Sequence, residues 1–160
     1  MRAGLMVARK ALPNDDHVMR FVPKARQHRD PETDQFIGLT AQAMELREED
    51  NGGLSVTWVE HYGSYGVLAK RRAAIAFRES LKTKRIGGEA VFATAQVKSI
   101  IDAGAGYNKS IRVVHDPVSG NPGHAEVRHF TAEDLRLLEV LATEVFIDID
   151  KVMNMNLPKP

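Results

Sequence analysis

His115 and His124 bracket a turn-rich stretch, Asp116 to Gly123, between two segments that read as strands, Ser110 to His115 and His124 to His129. If the strands pair, the two imidazoles face each other at the mouth of the loop. Such an arrangement can perform acid/base chemistry, bind a phosphate or hold a metal. Glu126 lies two residues beyond His124 in the same strand and therefore on the same face, and Asp116 adjoins His115. His115, His124, Glu126 and Asp116 are thus expected to converge. In a small hydrolase or nuclease, His115, His124 and Glu126 would move protons or ligate a divalent metal. The same residues also fit a plain polar hairpin end, because Asp-Pro, Ser-Gly and Asn-Pro-Gly are ordinary turn chemistry.

A second candidate is electrostatic. The chain carries 22 Lys and Arg against 21 Asp and Glu, so its total charge names no partner. The distribution is uneven. Between Ser64 and Gly88 there are seven bases and a single acid, Glu79. Lys70, Arg71, Arg78, Lys82 and Arg85 would give that helix a phosphate-tracking face for nucleic acid, or a face for an acidic partner protein. From Thr131 to Asp150 the balance reverses, with Arg136 the lone base. The two helices could instead neutralise each other, within one chain or across a homodimer.

These residues need a scaffold. At 160 residues, with 43% hydrophobic and 27% charged content, the sequence is that of one globular domain with a sizeable core. It contains no cysteine, which removes disulfides, thiolate nucleophiles and cysteine-held metals. No run approaches the roughly 18 apolar residues of a membrane span, and the apolar run Gly4 to Ala8 is too short for a signal-peptide core. The expectation is a cytoplasmic protein with no membrane contact. Residues 1–16 read as an N-terminal arm, 17–150 as the domain and 151–160 as a flexible tail.

Within the domain, Val18 to Val22 reads as a first strand stopped by Pro23, and 24–35 as a solvated connection. Phe36 to Leu46 suits helix and strand about equally. Asn51-Gly52-Gly53 marks a turn before a strand from Leu54 to Val59. Ser64 is placed to cap a long basic helix from Tyr65 to Arg85, buried along Ala69, Ala73, Ala76, Phe77 and Leu81. A short strand, Glu89 to Phe92, then precedes a helix capped by Thr94 and running to Asp102. After the His115–His124 hairpin comes an acidic amphipathic helix opened by the Thr131 to Asp134 capping box. This order gives an α+β fold with a mainly antiparallel sheet.

No Walker loop, zinc-protease helix or serine elbow is present, and Ala103 to Tyr107 lacks the strand–helix context of a dinucleotide loop. The residues by themselves call for no cofactor. Arg20 could be a buried ion-pair partner for Glu45 or a ligand-binding arginine, and Glu60 and His61 could lie near the hairpin.

Phe36 to Leu46, Leu54-Ser55-Val56-Thr57-Trp58 and Asn121-Pro-Gly-His-Ala-Glu126 together resemble a family of short uncharacterised bacterial proteins with Leu-Ser-Val-Xaa-Trp and Asn-Pro-Xaa-His-Ala signatures. The likeness spans about residues 18–145. It implies a bacterial accessory protein and a use for Asn121 to Glu126, with no activity attached. Arg20, Ser55 and Glu126 also follow the order seen in small ADP-ribosyltransferase-like toxins, where an Arg or His on the first strand, a Ser or Tyr on a middle strand and a late Glu hold NAD. The Ser-Thr-Ser and aromatic context of those toxins is missing here. Two classes of function stay open: a non-catalytic binding module of a bacterial accessory system, which the lack of a complete motif favours, and a His-dependent hydrolase or nuclease.

Overall fold

Strand alternation sorts the side chains into two cores, one on each side of a single sheet. The computed structural model describes residues 9–46 and 52–160. Asn51 and residues 1–8 of the expected arm lie outside them. The strands are β1 (His17–Val22), β2 (Gln27–Arg29), β3 (Phe36–Leu39), β4 (Gly53–Trp58), β5 (Val91–Gln96), β6 (Arg112–His115), β7 (His124–Arg128) and β8 (Asp148–Lys151). The helices are α1 (Val67–Ser80), α2 (Val97–Ala105) and α3 (Leu135–Val140), the last continued by a π turn over Leu141–Val145. Six strands form one sheet in the order β6-β7-β4-β1-β5-β8, antiparallel throughout, and β2-β3 form a separate hairpin. The domain is α+β, as its sequence indicates.

Val18, Val22, Leu54, Val56, Ala125 and Val127 turn to one face and meet Ile100 of α2 and Leu137 and Leu138 of α3. Met19 and Phe92 turn to the other, beneath α1. The contact face of α1 is built of Ala69, Ala73 and Ala74, small enough for the helix to lie close on the sheet. Val91 to Ala95 is buried on both faces, as befits a strand covered above and below.

Several boundaries differ from expectation. α1 stops at Ser80 rather than Arg85: the Ser80 hydroxyl turns back to the Phe77 carbonyl at 2.6 Å, and Leu81 is already extended. Its cap position is Gly66, and Ser64 makes no cap. Thr94 lies inside β5, and α2 begins after Gln96. The acidic helix is short, and Asp148 and Asp150 belong to β8, which pairs with β5. The alternation Ile147-Asp148-Ile149-Asp150 is the strand signal there. Residues 24–35 contain β2 and a 3-10 turn rather than a plain connection. Ala11 bridges Val114 at the outer edge of β6. Residues 152–158, expected as loose, lie along α1, with Val152 buried and Met155 and Leu157 against the α1 core.

Candidate functional site

The sheet opens at its centre. β1 and β4 pair only through Val18 with Trp58 and Met19 with Thr57. Beyond that point the Arg20 guanidinium enters the opening, donating from Nε to the Ala43 carbonyl at 3.0 Å and from Nη1 to the Ser55 carbonyl at 2.9 Å. Arg20 thus binds two backbone carbonyls, and Glu45 is exposed. An antiparallel residue sends its N–H and C=O to the same side. The Ser55 carbonyl is held by Arg20, so the Ser55 N–H also faces the opening.

On the other side β4 is paired with β7, Ser55 opposite Glu126 and Thr57 opposite His124. These four side chains share the α1 face of the sheet. The Ser55 hydroxyl lies 2.7 Å from His124 Nε2, and His124 Nδ1 lies 2.7 Å from the Asp116 carbonyl. A carbonyl only accepts, so Nδ1 carries the proton, and in the neutral ring Nε2 accepts from Ser55. The Asp116 carboxylate stands 3.4 Å from the same Nδ1. Serine, imidazole and aspartate thus form one line in the tautomer that allows proton transfer.

Glu126 is nearly buried and takes hydrogen bonds from Arg9 at 3.0 Å and Arg128 at 2.8 Å. Arg9 also pairs with Asp116 at 3.3 Å. His115 is on the opposite face. It is registered with Ala125, a core residue beneath α2 and α3, and its Nε2 donates to the Pro122 carbonyl at 2.7 Å. Its ring neighbours are Trp58 and His61, at 5.2 and 5.6 Å between centroids. The two imidazoles therefore do not face each other, because strand alternation separates Ala125's partner from His124. The expected set of four loses His115 and keeps His124, Asp116 and Glu126 in one neighbourhood. Among the described residues no group of three or more His, Asp or Glu could hold a metal ion.

Buried polar contacts fix the loop. Asn121 is fully buried, its amide donating to Thr57 Oγ1 at 3.0 Å and its carbonyl accepting from the Tyr62 hydroxyl. Tyr62 accepts in turn from the Gly123 N–H at 3.0 Å. Gly120, at φ +85°, packs so closely on the end of α1 that an added Cβ would meet the Glu79 carbonyl at 2.6 Å. The loop, the end of α1 and the opening between β1 and β4 enclose a cavity of about 620 Å³. Its polar groups include Arg20, Arg26, Ser55, Ser119 and His124, and its apolar wall includes Phe21 and Phe77; among the described residues no Asp or Glu lines it.

Much of the basic helix is occupied. Lys70 is buried and binds Asp148 at 2.7 Å and Asp150 at 3.0 Å. Burial works against its charge, but the hydrogen bonds to the two aspartates raise its pKa above the ordinary lysine value. Arg71 donates to the Asn156 carbonyl at 2.8 Å and Arg78 to the Pro158 carbonyl at 2.6 Å. Lys82 and Arg85 lie past the helix end, exposed and without a partner among the described residues. Within the chain, Lys70 is neutralised by β8 rather than by the acidic helix. No helix among the described residues is long and apolar enough to cross a membrane.

Sequence reasoning singled out Arg20, His124 and Glu126 but missed the role of Ser55 toward His124. The available signal was position: Ser55 and His124 are the polar residues flanking core-facing Leu54, Val56 and Ala125 in two strands. Fold and site together define an α+β protein with an arginine-filled opening in its sheet and a serine–histidine pair beside it. Comparison with protein-family models, curated proteins and solved structures finds no match to the chain.

Proposed function

We propose that the protein binds a nicotinamide dinucleotide in the central cavity and cleaves or transfers its ADP-ribose part. One observation carries this reading: Arg20, Ser55 and Glu126, the residues that resemble the NAD-holding set of ADP-ribosyltransferase-like toxins, lie on three adjacent strands, with Ser55 opposite Glu126 and bonded to Arg20. The cavity suits the ligand. Its volume falls within the range of small-molecule sites, Phe21 and Phe77 offer an aromatic wall, and Arg26 with Arg20 supplies positive charge.

Breaking a glycosidic bond builds positive charge on the ribose, which a nearby carboxylate stabilises. Glu126 lies on the Ser55 face but outside the cavity lining and is held by Arg9 and Arg128, so in this reading it takes that role by exchanging those arginines for the ribose. Ser55, oriented by His124, is placed to hold a ribose hydroxyl, and Arg20 holds the Ser55 peptide in position. The test is release of nicotinamide from NAD by the purified protein. Glu126→Gln, which keeps shape and removes charge, is expected to lower the rate at least about a hundredfold. An equal rate in that variant, or no release by the unaltered protein, overturns the reading.

The line Ser55–His124–Asp116 favours a second reading, a serine hydrolase in which His124 takes the Ser55 proton and the Ser55 N–H facing the opening donates to the oxyanion. Covalent labelling of Ser55 by a fluorophosphonate, abolished in His124→Ala and accompanied by no NAD turnover, would replace the first reading with this one.

A further inference from the structure

The turn that follows α1 separates two cavities with a common character. One is the central cavity. The other, about 480 Å³, lies between the turn and the last residues of the chain and is lined by Arg78, Arg85 and Lys159 together with Ile86, Val152 and Leu157. Among the described residues no Asp or Glu side chain lines either cavity. Arg78 is more than nine-tenths buried, and its Nε has no hydrogen-bond partner. A buried guanidinium N–H left unpaired is costly, and an anionic oxygen at the second cavity would relieve it.

Between the cavities the chain runs Lys82-Thr83-Lys84-Arg85, all exposed. Lys82 and Arg85 have no partner among the described residues, and Lys84 reaches Glu79 only at 3.9 Å. This contrasts with Lys70 and Arg71, whose charges are spent on β8 and the chain end. The unspent Lys82 and Arg85, with Lys159 at the second cavity, join Arg26 and Arg78, each engaged by one backbone carbonyl, in a track rather than a single converging point. The turn itself carries no large exposed apolar side chain. A protein partner would want an apolar or aromatic centre, whereas a phosphate chain wants spaced cations.

We propose that this track docks the backbone of a single-stranded nucleic acid, bent over the turn with phosphates in reach of both cavities. The inference goes beyond the dinucleotide reading and does not depend on it, because binding is measured without NAD. The probe is a fluorescently labelled single-stranded oligonucleotide, with anisotropy followed over a range of salt concentrations. Binding at low salt is expected to weaken with salt. The Lys82→Gln, Arg85→Gln double variant is expected to bind more weakly and to reduce the log–log salt slope by about 1.4, roughly 0.7 for each lost phosphate contact on a single strand. Both side chains are exposed, so the fold is retained, which circular dichroism checks. Absence of binding at low salt, an unchanged slope in the double variant, or equal binding of a polyglutamate of matched charge overturns the proposal. Lys98→Gln, an exposed lysine on α2 across the sheet, is expected to bind the strand as the unaltered protein does, which separates loss of the track from loss of any one positive charge.

Discussion

His61 shows how a single ring reports its surroundings. Burial first, and then the neighbouring His115, hold its pKa below the ordinary 6.5. The neutral form is favoured in the folded state, so the stability it contributes is present above the ordinary imidazole range and is lost as pH falls through the lowered value. Proton NMR titration is expected to find His61 titrating below 6.5, and His115→Asn to move it upward while burial keeps part of the shift. An unmoved His61 would mean that His115 exerts no charge effect on it. At this scale the sequence was informative about type and poor about partners. The alternation rule by itself puts His124 and Glu126 on one face. It did not show that His115 would turn away, because that depends on which residue of β7 is its registered partner. Nor could it give His124 its partners, since Ser55 is distant in sequence and Asp116 acts mainly through its backbone carbonyl.

Elements carry the site through close approach. The hairpin between β6 and β7 rests on the end of α1 at Gly120, which combines positive φ with a distance that excludes a Cβ. Gly120→Ala is expected to cost more than about 1 kcal/mol in chemical denaturation. It should also impair nicotinamide release more than that loss of stability explains, because the displaced loop holds Val118 and Ser119 at the cavity. A variant of normal stability and rate would show that the loop adjusts freely. The strands of the main core were legible from alternation, while the helix ends were not. Ser80 ends α1 through a bond to its own preceding turn, and five further residues with good helical composition then leave the helix. Thr94 looks like a cap in sequence, yet β5 is covered on both faces and takes it into the sheet.

For the whole molecule, the clearest long-range charge contact is that of Lys70 with β8. Burial opposes charge on both Lys70 and Asp148, and their mutual hydrogen bonding outweighs it, raising the lysine pKa and lowering the aspartate's. The lysine contribution is complete below the ordinary lysine value and is lost as pH rises through the raised one. The aspartate contribution is complete above its ordinary 3.8 and is lost as pH falls through the lowered one. Stability is therefore expected to be greatest between those limits. Lys70→Met should lower it there by about 1–2 kcal/mol, toward the low end for charge-assisted bonds because Asp148 is half exposed. Urea unfolding across pH checks this, and a variant that keeps the full pH dependence would assign it to other groups. The charge asymmetry was plain in the sequence. Its resolution was not, because β8 lies in the stretch whose composition suggested a helix.

Sheets are usually best protected at the middle and fray at the rims. Here the middle is where backbone pairing is interrupted, with a side chain in place of the missing strand contacts between β1 and β4. Amide hydrogen exchange should follow that inversion: the Ser55 N–H, in an interior strand, should trade its hydrogen sooner than Leu54 or Val56 on either side, which face β7. The halves β6-β7-β4 and β1-β5-β8 would then act as two leaves joined along a short seam, and a ligand seated at the seam would be felt by both.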